Sequence, residues 1–259
     1  YTFNVVNSGV KTSNIQDPYG VSFGLNGQRS MVLDLDATDP VGWNEDAGIN
    51  GYTSATDAII YELHVRDLTS ASSWGGPTEY SGKYLGLTVE GTTYTHPTTN
   101  VTVSTGLDHL VELGITHLHL LPTYDQDWND ERDMQFNWGY NPQNYNAPEG
   151  GYATNPYDGA VRVNEYKQMV MALHDSGINV INDVVYNHTG PGGDYSFNKI
   201  VPEYFYRITD GVWSNGTGVG NETASERYMV NKFIVDSVAY WAEEYHIDGF
   251  RFDLMAVHD

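Results

Sequence analysis

The sequence contains no cysteine and no long run of apolar residues. The absence of cysteine excludes disulfide bonds and thiolate metal sites within this sequence. A membrane-spanning helix needs about 20 consecutive, mainly apolar residues. Because no such run is present, the sequence predicts neither a transmembrane helix nor a membrane partner.

Basic residues are also scarce: 12 Lys and Arg stand against 34 Asp and Glu, which gives a formal net charge of −22. Nucleic acids and anionic membranes bind positively charged surfaces, so neither is predicted as a partner. A neutral polymer such as a polysaccharide is compatible with this charge. An acidic surface is also typical of solubility outside the cell, and we interpret the protein as extracellular. The chain begins at Tyr1 rather than Met, which predicts a cut end.

The first 50 residues are predicted to form antiparallel strands with no helix between them. Short apolar runs at 2–6, 21–23 and 30–35 are separated by turn-prone pieces such as 17–20. Two or three strands cannot bury a core unaided. This segment is therefore expected either to pack on the rest of the chain or to lack its partners.

From residue 51 onward, strand and helix patterns alternate, which predicts an α/β fold with a parallel sheet. One helix is predicted to end at Gly114, a second to be capped by Asn164, and a third to begin with a capping box at 223–226. The third helix is expected to bury Met229 on its apolar side. The strands are predicted at 59–68, 115–121, 179–186 and 249–255.

The fourth predicted strand carries two charged side chains in an apolar run. Side chains alternate between the two faces of a strand, so Arg251 and Asp253 point the same way. A neighbouring guanidinium favours the ionised form of a carboxylate. That form is the one a carboxylate nucleophile needs. A structural ion pair at the end of a strand is the alternative interpretation.

Polar residues also gather at the end of the third predicted strand, in the run Asp-Val-Val-Tyr-Asn-His at 183–188. Together with Gly-Phe-Arg-Phe-Asp at 249–253, this run resembles two ordered motifs of the α-amylase superfamily. The stretch Asn-Trp-Gly-Tyr-Asn-Pro at 137–142, followed by 145–152, resembles the pullulanase branch, the starch-debranching enzymes. The resemblance extends from about Ile59 to the last residue.

The resemblance implies that residues 51–259 form the first four units of a (β/α)8 TIM barrel. It also implies that residues 1–50 are the tail of a carbohydrate-binding-like β-sandwich module. Sites in such barrels lie at the C-terminal ends of the strands. The polar runs at 183–188 and 249–253 fall at that end.

The resemblance also implies a chemistry, the retaining hydrolysis of glycosides by two carboxyl groups about 5 Å apart. It implies that Asp253 is the nucleophile and that Arg251 keeps it ionised and positioned. Asp183 and Asn187 correspond to residues that hold the loop and the arginine. No cofactor is required for this chemistry.

Further residues are implied to contact the substrate. His188 corresponds to a hydrogen-bond donor to the sugar, and Tyr140 to an aromatic ring that stacks on the sugar being cleaved. Trp138 is interpreted as packing under its loop. The pullulanase branch usually has Asp at the position of Asn141, so this chain lacks a charge there.

The family's general-acid Glu follows the fifth strand of the barrel, beyond the four strands predicted here. A further His-Asp pair follows the seventh strand. We therefore expect this chain alone not to be a competent hydrolase. A second chain, or a continuation past Asp259, is expected to supply the rest of the barrel.

The implied substrate is an α-glucan such as pullulan, starch or glycogen, cleaved at its α-1,6 branch points. The superfamily often holds linear α-1,4 chains with a Lys-His pair, and Ala256 and Val257 occupy those positions here. A mixed α-1,4/α-1,6 amylase-type activity is one alternative. Another is a glucan-binding fragment without turnover, which would use Tyr140 and the loops of Trp74 and Trp128.

Two further groups of side chains are weighed as metal ligands. Asp125, Asp127 and Asp130 offer the hard oxygen atoms that calcium prefers, although only their spacing supports a calcium site. His117 and His119 alternate with Leu in the second predicted strand. We interpret them as satisfied core histidines or residues of secondary importance to a site.

Overall fold

The architecture is that of a computed structural model in which residues 1–48, 54–127, 129–133 and 135–258 are described. The strands are β1 (Phe3–Asn7), β2 (Val10–Ile15), β3 (Ile60–Leu63), β4 (Thr93–Thr95), β5 (Thr102–Ser104), β6 (His117–Leu120), β7 (Tyr124–Gln126), β8 (Pro142–Pro148), β9 (Asn179–Val184), β10 (Ile208–Thr209), β11 (Val212–Trp213) and β12 (Gly249–Phe252). The α-helices are α1 (Val65–Thr69), α2 (Gly106–Leu113), α3 (Gly159–Asp175), α4 (Ser196–Ile200) and α5 (Tyr228–Glu244). Short 3-10 helices lie at Leu25–Gly27, Asp36–Thr38, Trp43–Glu45, Ala55–Asp57, Thr78–Tyr80, Tyr84–Thr88, Gly150–Tyr152, Gly192–Asp194 and Met255–Val257.

A four-stranded parallel sheet lies at the centre, in the order β3, β6, β9, β12. Helices α2, α3 and α5 precede β6, β9 and β12, so each pair of neighbouring strands is joined by a crossover that contains a helix. The predicted parallel α/β sheet is confirmed. Within the described ranges, no helix is long and apolar enough to cross a membrane.

Apolar side chains of the helices cover one face of this sheet. Helix α3 places residues on one stripe at helical spacing, and the stripe packs on the sheet. Helix α5 adds Phe233 and Trp241. Val230 of α5 is buried and Met229 is 50% exposed, so the prediction that Met229 is buried is wrong. The buried stripe of α3 comprises Tyr166, Met169, Val170 and Leu173.

The first predicted strand is shorter than expected. Strand β3 ends at Leu63, and the chain then turns into α1. The His64 side chain causes this change, since its Nδ1 accepts a hydrogen bond from the Arg66 backbone N–H at 3.2 Å and caps the helix. The predicted strand at 59–68 is therefore wrong over its second half.

The predicted cap at Asn164 is also wrong. Helix α3 begins five residues earlier, at Gly159, and the Asp158 carboxylate accepts the Ala160 N–H at 3.0 Å. Asn164 lies inside the helix, and its side chain donates to the Thr38 carbonyl at 2.8 Å. This residue therefore fastens the N-terminal segment to the barrel.

The capping box predicted at 223–226 does not form. Helix α5 begins at Tyr228. The Thr223 hydroxyl donates to the Tyr186 carbonyl at 2.6 Å, and Glu226 accepts from Arg207 at 2.8 Å. Both side chains serve contacts between loops rather than the helix end.

The N-terminal segment contains one antiparallel hairpin, β1 with β2. The strands predicted at 21–23 and 30–35 are wrong, since only an isolated bridge joins Phe23 and Ser30. The predicted division between residues 50 and 51 lies in 49–53, outside the described residues, so the two-domain assignment stays a prediction.

This segment packs on the helices of the barrel. Of the two expectations stated for it, packing on the rest of the chain is the one observed. Tyr19 meets Phe233 edge to face with ring centroids 5.1 Å apart. The Trp43 ring stacks on His246 at 4.0 Å. Asp39 forms an ion pair with the buried ammonium of Lys167.

Candidate active site

Three charged side chains lie side by side at the C-terminal ends of β9 and β12. The strand register places Arg251 next to Asp183. The Arg251 Nη1 donates to Asp183 Oδ1 at 3.0 Å and to Asp253 Oδ1 at 2.9 Å. The prediction that Arg251 and Asp253 share a face is confirmed. One guanidinium thus bridges two carboxylates.

A second donor fixes the orientation of the Asp253 carboxylate. Asn187 Nδ2 donates to Asp253 Oδ2 at 3.1 Å and to its backbone carbonyl at 3.0 Å. The two carboxylate oxygens therefore face different partners. Leu254 follows with a φ of 47°, a left-handed conformation that is strained for a leucine and turns the chain sharply after Asp253.

Asp183 is the centre of this hydrogen-bond network, and its side chain is completely buried. In addition to Arg251, its Oδ2 accepts the Tyr140 hydroxyl at 2.8 Å and lies 3.2 Å from His119 Nε2. Burial, together with the hydrogen bond to Asp183, raises the pKa of Tyr140 well above its ordinary value. The phenol therefore keeps its proton and acts as a donor.

His188 joins the two motifs through both ring nitrogens. Its Nε2 lies 2.8 Å from the Tyr140 carbonyl and its Nδ1 lies 2.6 Å from Asn187 Oδ1. Burial lowers the pKa of His188, and the Tyr140 carbonyl and the Asp253 charge only partly oppose this. Both partner atoms only accept, so the single N–H of the neutral ring can bond to only one of them.

These groups border an open cavity of about 560 Å³, here called the site cavity. Of the residues predicted for the site, Tyr140, His188 and Asp253 line it directly. Arg251, Asp183 and Asn187 act on it through their hydrogen bonds. The lining residues are Glu62, Leu121, Trp138, Tyr140, His188, Val219, Asp253 and Leu254.

Comparison with known proteins shows what the chain is similar to. A family model described as "Alpha amylase, catalytic domain" matches residues 101–205. A pullulanase of Bacillus subtilis (strain 168) is 43% identical over 262 residues, covering 100% of this chain and 35% of that protein. Pullulanase 1, chloroplastic, of Arabidopsis thaliana is 36% identical, covering 95% of this chain and 28% of that protein.

A solved structure matches across almost the whole chain. It is the pullulanase from Paenibacillus barengoltzii in complex with maltohexaose and α-cyclodextrin, with a TM-score of 0.91 and 46% sequence identity. The match covers 96% of this chain and 38% of that one. The chain belongs to the α-amylase superfamily and is of the pullulanase type.

The predicted first half of a (β/α)8 barrel is thereby confirmed for this pullulanase-type chain. The chain spans about a third of the length of the curated pullulanases that it matches, at 35% and 28%.

The tryptophans differ from expectation. Trp138 was expected to pack under its loop, but it is 62% exposed and lines the site cavity. The loop of Trp74 was assigned to glucan binding in the alternative of a binding fragment, but Trp74 is only 4% exposed and belongs to the core. Trp128 lies outside the described residues. Of the two described tryptophans among these three, Trp138 is the one that lines the site cavity.

The three candidate calcium ligands do not form one group. Asp130 is exposed and pairs with Arg132. Asp125 is fully buried and lies with Glu131 and Glu149, whose ligand oxygens are within 4.8 Å of one another. Asp127 and Asp130 are not part of that group.

The buried group of Asp125, Glu131 and Glu149 surrounds the guanidinium of Arg162. Arg162 Nη1 lies 3.0 Å from Glu131 Oε1 and 3.6 Å from Asp125 Oδ1. The neighbouring Gly150 has to be glycine, because an added Cβ would lie 2.1 Å from Arg162 Nη2. A protein cation therefore occupies the centre of these carboxylates.

Sequence reasoning missed Glu62 and left the role of His119 open. His119 is buried, and its Nδ1 lies 3.4 Å from Glu62 Oε2. The position of Glu62 near the end of the first strand was an available signal, because sites lie at that end of barrel strands. His117 is a satisfied core histidine, since its ring nitrogens lie within 2.8 Å of the Thr116 hydroxyl and 3.3 Å of Asn179 Nδ2.

Asn141 has a structural reason to differ from the Asp that is usual in the pullulanase branch. It is buried, and its side-chain Nδ2 donates to the backbone carbonyl of Asp127. The backbone carbonyl of Asn141 in turn accepts the Asp127 N–H at 2.9 Å. An ionised aspartate cannot donate to that carbonyl. We expect Asn141→Asp to lower the free energy of unfolding at pH 7 by about 1–3 kcal/mol, measured by urea denaturation.

The matched control is Asn198→Asp. Asn198 also donates to a backbone carbonyl, that of Gly193 at 3.0 Å, but at the surface, where water replaces the lost bond. A small change is expected there. An equal loss of stability in the two variants would contradict the argument from burial.

Proposed function

We propose that the site cavity is the glycone-side part of a retaining α-glucan debranching site, with Asp253 as its nucleophile. The observation that carries this proposal is the double anchoring of Asp253. Arg251 holds one carboxylate oxygen at 2.9 Å and Asn187 holds the other at 3.1 Å, at the wall of a cavity large enough for a sugar. A carboxylate that is fixed by two donors and open to a cavity suits nucleophilic attack better than a structural ion pair does.

In the proposed reaction, an Asp253 oxygen attacks the anomeric carbon while the bond to the leaving oxygen breaks. A general acid protonates the leaving oxygen, and water later hydrolyses the glycosyl ester. The general acid belongs to further polypeptide, either a second chain or a continuation. Arg251, itself held by Asp183, orients the Asp253 carboxylate before attack. No metal or organic cofactor takes part, since two carboxyl groups suffice.

Substrate binding is assigned to the aromatic side of the site cavity. Tyr140, held by Asp183, stacks on the sugar at the cleavage position, and the exposed ring of Trp138 extends that surface. His188 donates a hydrogen bond to a hydroxyl group of the sugar. The pullulanase from Paenibacillus barengoltzii, bound to maltohexaose and α-cyclodextrin, supports an α-glucan as the ligand class.

The proposed bond is the α-1,6 linkage of pullulan, starch or glycogen. Ala256 and Val257 stand where the superfamily often holds α-1,4 chains, which supports this choice over an amylase-type activity. An extracellular location and the binding of calcium stay predictions. Dialysis against a chelator tests the calcium: an unchanged unfolding temperature would contradict it.

The test is the release of reducing ends from pullulan, by this chain alone and by this chain mixed with a polypeptide that covers the rest of the barrel. Release is expected only in the mixture. Asp253→Asn is expected to reduce it by about 10⁴-fold or more, because the nucleophile is lost. Asp194→Asn, at a carboxylate that is 90% exposed and outside the site cavity, is the matched control.

Two outcomes would decide against the proposal. Absence of release from both tubes, with glucan binding retained, would favour a binding fragment without turnover. Faster release from linear amylose than from pullulan would favour a mixed α-1,4/α-1,6 activity.

A further inference from the structure

A row of charged or ionisable side chains crosses the sheet on one face, with one member on each strand. Glu62 lies on β3, His119 on β6, Asp183 on β9 and Arg251 on β12. The strand registers place Glu62 beside His119 and Asp183 beside Arg251. Arg251 then contacts Asp253. The row therefore links an acidic side chain at one edge of the sheet to the proposed nucleophile at the other.

Glu62 is the member of this row that no motif explains. Its side chain is 60% exposed, and it lines the site cavity together with Tyr140, His188 and Asp253. A carboxylate is an acceptor only, and the hydroxyl groups of a neutral sugar are donors. Hydrogen bonds to charged groups are stronger than those between neutral groups. Glu62 is thus placed and equipped to accept from a sugar hydroxyl.

His119 explains how Glu62 is connected to the rest of the site. Its buried ring lies between two carboxylates, with Nδ1 at 3.4 Å from Glu62 Oε2 and Nε2 at 3.2 Å from Asp183 Oδ2. Asp183 in turn holds the hydroxyl of Tyr140 and the guanidinium of Arg251. A change at His119 therefore reaches both the stacking ring and the nucleophile.

We propose that Glu62 is a substrate-binding residue that accepts a glucosyl hydroxyl, and that His119 is the positioning residue that connects it to Asp183. This inference rests on the proposed function, since it assigns the ligand of the same site cavity. It adds an acidic binding wall on the β3 side, opposite the motif residues of β9 and β12.

The first test measures binding, independently of turnover. Maltotriose is titrated calorimetrically into the chain and its Glu62→Gln and Glu62→Ala variants. Loss of a hydrogen bond to a charged acceptor is expected to weaken binding by about tenfold or more. Glu79→Gln, which changes an acidic residue outside the site cavity, serves as control. Wild-type affinity in both Glu62 variants, or absence of binding to the parent chain, would overturn the assignment.

The second test separates positioning from stability. In the mixture that hydrolyses pullulan, His119→Ala is expected to lower kcat by about tenfold or more, with a smaller change in KM. His119→Gln is expected to restore much of kcat, because its carboxamide keeps an N–H that can reach Asp183. The control is His117→Gln, the same change two residues earlier in the strand. A His119→Ala variant with normal kcat and KM but a lower unfolding midpoint would reduce His119 to a structural residue.

The two tests also separate this inference from the proposed reaction. If Asp253→Asn leaves hydrolysis intact, the proposed nucleophile is wrong. The maltotriose titrations would still decide whether Glu62 binds the substrate, because they measure binding and not hydrolysis.

Discussion

Replacing Arg162 with Met is expected to lower the free energy of unfolding by about 3–5 kcal/mol. The Arg162 side chain is completely buried, and its two terminal nitrogens contact Glu131 at 3.0 Å and 3.1 Å. Met has a similar length but no charge. Its introduction leaves Glu131, Asp125 and Glu149 buried together without a cation, and the uncompensated charge accounts for the loss.

The loss is expected to depend on pH. Burial and the neighbouring Glu131 charge raise the pKa of Glu149 to about 7, although Arg162 opposes them. Without Arg162 the pKa of Glu149 rises again. A carboxyl group whose pKa is higher in the folded than in the unfolded state lowers the free energy of unfolding as the pH rises through its folded-state pKa. The deficit of Arg162→Met is therefore expected to be smaller at pH 5 than at pH 8.

Urea denaturation at these two pH values measures the effect. Arg132→Met is the matched control, because Arg132 pairs with Asp130 at the surface, and an unchanged midpoint is expected. Equal deficits at pH 5 and pH 8 would show that lost packing, rather than uncompensated charge, explains the effect of Arg162→Met.

The sheet and the core of the site could be predicted because their signals are local in the sequence. The observed strands β6, β9 and β12 lie inside the predicted runs at 115–121, 179–186 and 249–255. Polar residues at the ends of two of these runs carried the motifs. Alternation along β12 was enough to place Arg251 and Asp253 on one face.

The features that could not be predicted depend on partners far away in the chain. Asn164 has the sequence pattern of a helix cap, but its side chain donates a hydrogen bond to the carbonyl of Thr38, 126 positions earlier. Likewise, the hydroxyl of Thr223 donates to the carbonyl of Tyr186 and does not cap a helix. The contact of Glu62 with His119 depends on the register between β3 and β6, which a single sequence does not fix.

His174 is expected to make the folded chain less stable as the pH rises above about 6.5. Its ring is buried between two carboxylates, with Nδ1 at 2.9 Å from Asp46 and Nε2 at 2.9 Å from Asp248. Burial lowers the pKa of His174, but the hydrogen bonds and charges of Asp248 and Asp46 together outweigh it, so the pKa is raised above 6.5. Only the protonated ring can donate to both carboxylates.

The position of His174 gives this titration a structural consequence. Asp46 belongs to the N-terminal segment, whereas His174 ends α3 and Asp248 precedes β12. Asp46 also lies 2.7 Å from His246 Nδ1, and the Val180 N–H donates to Asp248 at 2.7 Å. The charged ring thus ties the N-terminal segment to the base of the barrel.

A histidine whose pKa is raised by folding stabilises the protein fully at a pH below its unfolded-state pKa. This stabilisation is lost as the pH rises through its folded-state pKa. Urea midpoints of the wild type are therefore expected to fall between pH 6 and pH 9. His174→Gln is expected to cost about 3 kcal/mol at pH 6 and to flatten that decline, because its amide does not titrate. His109→Gln, at an exposed histidine, should reproduce the wild-type slope. A variant at His174 that keeps the full slope would assign the decline to other groups and leave the ring a purely structural donor.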